Sequence, residues 1–184
     1  MSLANKITIL RIILIPFFIA AVVYSKTNIA LILFILAVIS DGVDGFIART
    51  FKQKTKLGTI LDPIADKLLL MSAFICLAIA NNIPSGHKLP PYVPIIVISR
   101  DAIIVLGSVM IHLLTGDLKV SPSAVGKITT FFQMITIVSV LAQFKYSNII
   151  WNTAVALTVV SGIDYVIKGS RVLNENHSVL KKAP

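Results

Sequence analysis

Residues 29–40 read Ile-Ala-Leu-Ile-Leu-Phe-Ile-Leu-Ala-Val-Ile-Ser, and Asp41 ends this uncharged run. As a helix the run extends about 18 Å, which is shorter than a hydrocarbon core of about 30 Å. The uncharged runs Leu68–Ala80 and Tyr92–Ser99 are limited in the same way by neighbouring charges. If these segments cross a membrane, they must therefore carry charged residues within it or at its edge.

The composition favours a membrane protein. Of the 184 residues, 56% are hydrophobic and 14% are charged, and the mean hydropathy is +0.89. This apolar content excludes a disordered chain, and the single cysteine, Cys76, excludes a disulfide scaffold. The 17 Lys and Arg outnumber the 8 Asp and Glu, which gives a net charge of +9. Cytoplasmic loops and anionic lipid headgroups explain this surplus, so we expect no nucleic acid partner.

The apolar runs predict an all-α integral membrane protein with six transmembrane helices in a bundle. The predicted spans are Ile7–Ser25, Asn28–Thr50, Ile60–Ala80, Tyr92–Leu114, Lys127–Phe144 and Tyr146–Lys168. We assign residues 1–173 to this membrane domain and residues 174–184 to a polar cytoplasmic tail. The first run also resembles a cleaved leader, but Pro16 and the five further spans favour a retained helix.

Basic residues are distributed unevenly among the predicted connectors. Those at Lys26, at residues 81–91 and at Lys145 hold three Lys in total. The N-terminus, residues 49–56, residues 115–127 and the tail hold most of the rest. Because cytoplasmic loops are enriched in Lys and Arg, this asymmetry predicts that both termini are cytoplasmic.

Four of the eight acidic residues, Asp41, Asp44, Asp62 and Asp66, lie where the second predicted span ends and the third begins. Spacings of three and four residues place each pair on one helix face, and an antiparallel hairpin brings both pairs to one depth. Each acid costs about 2.5–3.5 kcal/mol near the bilayer centre, so uncompensated carboxylates are unfavourable there. The pattern predicts a four-carboxylate cup, whose hard oxygen ligands suit Mg²⁺ or Mn²⁺.

Simpler explanations exist for single residues in this window. Asp62 followed by a proline fits a helix N-cap, and Asp41 or Asp44 alone fits a solvated boundary acid. The small residues here either admit a phosphate to the backbone or allow close helix packing; they are Gly42, Gly45, Ala48 and Gly58. Arg49 suits either a bidentate phosphate contact or an anchor at the cytoplasmic interface.

The window resembles a known family. Asp41-Gly-Val-Asp44-Gly45-Phe-Ile-Ala48-Arg49, followed by Gly58-Thr-Ile-Leu-Asp62-Pro-Ile-Ala-Asp66, is similar to the D-x-x-D-G-x-x-A-R…G-x-x-x-D-x-x-x-D signature of the CDP-alcohol phosphatidyltransferases. Residues 4–11, Ala-Asn-Lys-Ile-Thr-Ile-Leu-Arg, resemble the N-x-x-T-x-x-R element of that family. Residues 126–133, Gly-Lys-Ile-Thr-Thr-Phe-Phe-Gln, resemble its G-K-x-x-T-x-x-Q stretch.

The resemblance implies transfer of a phosphatidyl group from CDP-diacylglycerol to an alcohol, with release of CMP. It implies two Mg²⁺ ions, with Mn²⁺ as a substitute, bound by Asp41, Asp44, Asp62 and Asp66, and it assigns Asp66 as the general base. Residues that contact CDP-diacylglycerol would be Gly45, Arg49, Thr55, Asn5 and Thr8, although Thr55 also fits an ordinary loop residue. Arg11 is interpreted as a snorkelling cation. The resemblance further implies a homodimer.

The acceptor is predicted from three basic residues. Arg100, Lys127 and Arg171 would hold an anionic acceptor beside the metals, because Arg offers a bidentate fork for phosphate. Alternatively, Arg100 pairs with Asp101 or Asp164, and the other two are boundary charges. A phosphate-bearing acceptor favours sn-glycerol 3-phosphate, which gives phosphatidylglycerol phosphate.

Two other functions stay open from the sequence. Ser99-Arg100-Asp101 and Lys119–Gln133 also resemble CDP-diacylglycerol-dependent cardiolipin synthases, and Thr129 stands where the glycerophosphate branch often has a second Lys. An ion or proton transporter is a remote alternative, since its acids would be spread across the bilayer. For the enzyme we expect a multi-pass protein of the cytoplasmic membrane, with its active site on the cytoplasmic side.

Overall fold

The computed structural model describes the backbone of residues 3–50, 56–80, 88–115 and 124–180, and the side chains of residues 7–42, 64–80, 88–111, 113 and 124–170. This part of the chain forms six α-helices, so the predicted all-α class is confirmed. They are α1 (Leu3–Val23), α2 (Thr27–Thr50), α3 (Lys56–Ile79), α4 (Tyr92–Thr115), α5 (Ala124–Leu141) and α6 (Ser147–Leu180). The predicted spans match these helices to within a few residues, except that α6 continues well beyond Lys168.

Three of the helices are long and apolar enough to cross a membrane by length and composition. Among the described residues these segments are Tyr92–Ile111, Ala124–Leu141 and Ser147–Ser170. The described apolar segments of α1 and α2 are shorter, at Ile7–Val23 and Thr27–Gly42. Together with the mean hydropathy of the chain, these segments mark a multi-pass membrane protein.

Two tight turns fix neighbouring helices side by side. Ser25 lies in the turn after α1 and has a φ of 61°, and Gln143 lies in the turn after α5 and has a φ of 52°. Both values lie in the left-handed region that ends many helices. After α1, the amide of Lys26 donates to the carbonyl of Ala21 at 2.8 Å, which closes the helix end; an equivalent bond closes α5. The chain therefore reverses within a few residues, as short helix–helix connections require.

The helices pack as two groups of three. In the first group α1 packs against both α2 and α3, and in the second α6 packs against both α4 and α5. The groups meet where α3 contacts α4 and α5 and where α2 contacts α5. At the centre of the first group the rings of Phe18 and Phe34 lie 5.9 Å apart, and Phe74 from α3 is also buried.

Small polar side chains are buried between α5 and α6. Gln133 Nε2 donates to Thr158 Oγ1 at 3.2 Å, and the hydroxyl of Thr129, which is shared with the carbonyl of Val125 at 2.8 Å, lies 3.2 Å from the carbonyl of Leu157. Large apolar side chains such as Leu106 instead face outwards, where acyl chains would solvate them. Hydrogen bonds between helices contribute to helix association in a membrane, because lipid already solvates the apolar outer faces of the helices.

Candidate active site

Two of the predicted acidic residues meet at one arginine. Arg11 Nη1 donates to Asp66 Oδ1 at 2.5 Å, and Arg11 Nη2 lies 3.0 Å from Asp41 Oδ1. The second contact is an ion pair without hydrogen-bond geometry. The Arg11 side chain is 0% exposed, whereas those of Asp41 and Asp66 are 37% and 33% exposed. The guanidinium is therefore shielded from solvent, whereas the two carboxylates keep part of their surface accessible.

The arginine continues the buried stripe of α1. Residues 8, 11, 15, 18 and 22 recur at intervals of three and four, and all five are buried. This spacing keeps them on one face of a helix. Ile15, Phe18 and Val22 are apolar, so the face changes from apolar to polar towards the start of the helix. Arg11 thus reaches the same neighbours, α2 and α3, that the apolar residues pack against.

Asp41 and Asp66 are placed by similar stripes on their own helices. On α2 the buried residues Ala30, Phe34 and Ala37 lead to Asp41, which follows Ala37 by four positions. On α3 the buried stripe leads back from Ala73 to Asp66 in the same way. The apolar packing of three helices therefore brings the polar ends of their stripes to one point, as the predicted cup requires.

The donor set at this point fits a divalent cation. Two carboxylates and one guanidinium leave a formal charge of −1, and the exposed oxygens are hard ligands of the kind that Mg²⁺ and Mn²⁺ prefer. The side chains of Asp44 and Asp62 lie outside the described residues. For that reason no group of three or more His, Cys, Asp or Glu is gathered among the described side chains. The assignment of all four acids as metal ligands stays a prediction.

The residues predicted to contact CDP-diacylglycerol lie mostly outside the described side chains. Asn5, Gly45 and Arg49 fall within α1 and α2, where only the backbone is described, and Thr55 falls between α2 and α3. Thr8 is fully buried, one turn before Arg11. At nearby Gly42 an added Cβ would meet nothing within 4 Å, so this side of α2 is open rather than packed against a helix.

Arg100 joins a chain of polar contacts that starts beside Asp66. Its side chain is nearly buried, with Nη1 donating to Asp101 Oδ1 at 2.7 Å and Nη2 donating to Ser161 Oγ at 2.5 Å. Lys67 Nζ donates to the other carboxylate oxygen of Asp101 at 2.6 Å. Both terminal nitrogens of Arg100 are thus bonded within the protein. Only its Nε is buried without a hydrogen-bond partner.

The two other basic residues proposed for the acceptor differ from Arg100. Lys127 is exposed near the start of α5, and the side chain of Arg171 lies outside the described residues. Asp164, considered above as a partner of Arg100, accepts from Lys168 Nζ at 2.8 Å within α6. The partner of Arg100 is therefore Asp101, which was one of the two considered.

An open apolar groove runs beside Arg100 between α4 and α6. Its volume is about 370 Å³. Residues that line it include Ile96, Ile103, Val159 and Ile163 as well as Arg100 itself. The groove is therefore mostly apolar, and the nearly buried side chain of Arg100 forms part of its lining.

The sequence pattern alone offers no site role for Arg11 and no role at all for Lys67. Arg11 looks like a boundary cation because a charge near one end of an apolar run is usually solvated. The signal that points further is its spacing: Thr8 and Arg11 lie on the apolar stripe of α1 rather than opposite it. Lys67 follows Asp66 directly, and one position along a helix turns a side chain by about 100° towards another neighbour.

Comparisons with known proteins identify the family of the chain. The family model for CDP-alcohol phosphatidyltransferase matches residues 1–160. A CDP-diacylglycerol–glycerol-3-phosphate 3-phosphatidyltransferase from Haemophilus influenzae is 34% identical over 91% of this chain and 94% of its own length. One of the same name from Bacillus subtilis is 32% identical over 96% and 99%. Human cardiolipin synthase (CMP-forming) is 28% identical over 94% of this chain and 63% of its own length. The chain belongs to the CDP-alcohol phosphatidyltransferase family.

Proposed function

We propose that the protein transfers a phosphatidyl group from CDP-diacylglycerol to sn-glycerol 3-phosphate, giving phosphatidylglycerol phosphate and CMP. The observation that carries this proposal is the meeting of Asp41 and Asp66, from α2 and α3, at one buried guanidinium, with both carboxylate side chains about one-third exposed. The choice of acceptor is supported by the names of the bacterial relatives, which specify glycerol 3-phosphate.

Members of this family generally depend on a divalent metal. We assign Mg²⁺, as two ions per site with Mn²⁺ as a substitute, to Asp41, Asp44, Asp62 and Asp66. When bound, such ions neutralise the pyrophosphate and stabilise the charge that develops on the leaving CMP. The exposed oxygens of Asp41 and Asp66 suit this assignment because they are anionic and accessible.

The residues of the chain then divide the remaining work. Asp66 accepts the proton of the acceptor hydroxyl, whose oxygen forms a bond to the phosphorus that carries diacylglycerol. The bond from that phosphorus to the CMP oxygen breaks, and CMP leaves. Asn5, Thr8, Gly45, Arg49 and Thr55 hold the CDP group in this proposal.

Arg100, Lys127 and Arg171 are proposed to hold the phosphate of the acceptor. Exposed Lys127 is available for such a contact as it stands. Arg100 would bind the phosphate through Nε, which has no hydrogen-bond partner. Alternatively, it would give up its bond to Asp101 or Ser161 and donate to the phosphate instead.

The location of the reaction follows from the donor, which is an amphiphile. We propose that the site lies at the cytoplasmic edge of the cytoplasmic membrane, so that acyl chains stay in the bilayer while the nucleotide stays in water. The distribution of Lys and Arg supports this side and supports cytoplasmic termini. We further propose a homodimer, on the family resemblance.

A second candidate is cardiolipin synthesis from CDP-diacylglycerol and phosphatidylglycerol. The apolar groove beside Arg100 favours it, because a lipid acceptor brings acyl chains that such a groove would hold. Thr129 also bears on the choice. It is fully buried and carries no charge, so this position supplies no second cation for a phosphate-bearing acceptor.

Purified protein tests both candidates in one assay. CDP-diacylglycerol and Mg²⁺ are supplied with glycerol 3-phosphate, phosphatidylglycerol, inositol phosphate or serine separately, and CMP release and the lipid product are measured. We expect release with glycerol 3-phosphate, its loss in EDTA, and recovery with Mg²⁺ or Mn²⁺. Asp66→Asn should lower kcat by about 10²–10⁴-fold. Cardiolipin formed only with phosphatidylglycerol would favour the second candidate, and no release with any acceptor would exclude both.

A further inference from the structure

We propose that Arg11 is a positioning residue for this reaction. Its guanidinium holds the carboxylates of Asp41 and Asp66 in place and compensates part of their charge before any cation binds. The proposal deepens the proposed function and rests on it for the catalytic role of Asp66. The positioning itself rests on the contacts among α1, α2 and α3.

The burial of Arg11 separates positioning from substrate binding. Its side chain is 0% exposed, whereas those of Asp41 and Asp66 are 37% and 33% exposed. A donor or acceptor therefore has access to the two carboxylates but not to the guanidinium. Arg11 therefore acts on the reaction through these two residues.

The charge of Arg11 requires both partners. A guanidinium without a counter-ion is costly inside a membrane protein, and removal of one partner from a buried ion pair leaves an uncompensated charge. The reverse also holds, since loss of Arg11 removes a cation that two carboxylates share. In that state a divalent cation would do part of the work that Arg11 does in the metal-free protein.

The shape of the side chain matters as well as its charge. Nη1 and Nη2 reach carboxylates that belong to two different helices, and the planar fork fixes the distance between them. Lysine has a single nitrogen on a flexible stem and cannot make both contacts with the same geometry. Arg11→Lys should therefore keep the charge but lose the alignment of Asp66.

Thermal unfolding in detergent without substrates is the first test. The variants are Arg11→Gln, Arg11→Lys, Asp66→Asn and the double variant of Arg11→Gln with Asp66→Asn. Lys168→Gln is the matched control, because it removes a cation from an ion pair on the surface of α6. In EDTA we expect Arg11→Gln to lower Tm by roughly 10 °C and Lys168→Gln to lower it by no more than about 2 °C.

Two further readouts distinguish positioning from general packing. Mg²⁺ alone should raise the Tm of Arg11→Gln by more than it raises the Tm of the unchanged protein, because the metal replaces a missing cation. The effects of Arg11→Gln and Asp66→Asn should also be less than additive, since the groups they remove are in contact. Arg11→Lys should restore most of the Tm yet lower kcat by about 10–100-fold, with KM for CDP-diacylglycerol unchanged.

Equal effects of Mg²⁺ on both proteins together with additive losses would overturn the proposal, as would full activity of Arg11→Lys. A rise in KM without a fall in kcat would also overturn it, because Arg11 would then act on the donor directly. If the unchanged protein released no CMP with any alcohol, the proposed function would fail. The unfolding data would still decide the positioning role, because they need no substrate.

Discussion

At the scale of single residues, the protein buries two arginines that have different surroundings. Arg11 pairs with two carboxylates that are each about one-third exposed, and it therefore backs an open site. Arg100 pairs with Asp101, which is almost fully buried, and bonds to buried Ser161. The same type of side chain thus pairs with partly exposed carboxylates in one place and joins α4 to α6 through buried partners in the other. Only the identity of the partners, and not the arginine itself, distinguishes these roles.

Arg100 and Lys127 should therefore respond differently to substitution, although both are proposed acceptor contacts. Arg100→Gln breaks two bonds between buried groups and should lower the free energy of unfolding by about 1–3 kcal/mol. Exposed Lys127→Gln should leave stability within about 0.5 kcal/mol and raise KM for glycerol 3-phosphate roughly 10-fold. Tm and acceptor kinetics of the two variants check this. A large loss of Tm in Lys127→Gln, with KM unaffected, would contradict it.

At the scale of helices, ion pairs form a polar layer across the bundle. Two adjacent residues of α3 anchor it: Asp66 bonds to α1, and Lys67 bonds to α4. The layer thus joins five of the helices, through Asp41, Arg11, Asp66, Lys67, Asp101, Arg100 and Ser161. Because a helix turns by about 100° per residue, neighbouring positions serve different partners. Lys67 therefore ties the helix that carries the proposed base to α4.

Asp101 is the centre of the second half of this layer, and Asp101→Asn should be severe. The change leaves buried Arg100 without its counter-ion and Lys67 without its acceptor, so we expect a loss of about 3–5 kcal/mol. Lys168→Gln is the control, since it breaks an exposed i, i+4 pair worth about 0.5 kcal/mol or less. Denaturant or thermal unfolding of both variants measures the difference. Similar losses in the two would show that the buried pair adds nothing beyond a surface pair.

At the scale of the whole molecule, the sequence predicts the helices better than it predicts which side chains meet between them. Apolar runs and connector residues define six segments, and the spacing of the acids defines which helix faces carry them. The spacing does not define which helix those faces meet. An antiparallel hairpin predicts that the acids of α2 and α3 lie at one depth, but it does not predict that Arg11 from α1 pairs with both Asp41 and Asp66. Which charged side chains pair with each other depends on how the buried stripes of α1, α2 and α3 pack together. The sequence of one helix does not determine this packing.

The orientation of the whole molecule is testable because the chain has one cysteine. In a Cys76→Ala background, Ser85→Cys marks the connector before α4 and Ser178→Cys marks the end of α6. With both termini cytoplasmic, a membrane-impermeant maleimide added to spheroplasts should label the first and leave the second unlabelled until the membrane is opened. The measurement compares labelling of each cysteine in intact spheroplasts with its labelling after the membrane has been opened. The opposite pattern would invert the orientation, and labelling of both would contradict an odd number of spans between them.

The ion pairs of Arg11 also bear on how the protein is made. The ribosome delivers α1 to the membrane first, with a guanidinium nine residues into the helix. The first of its two counter-ions in the sequence, Asp41, is translated 30 residues after Arg11, and Asp66 is translated 55 residues after it. In lipid without these carboxylates, a cation near the centre of a helix costs about 2.5–3.5 kcal/mol. We therefore expect α2 and α3 to stabilise α1 in the bilayer, with the full effect only when α3 has been synthesised.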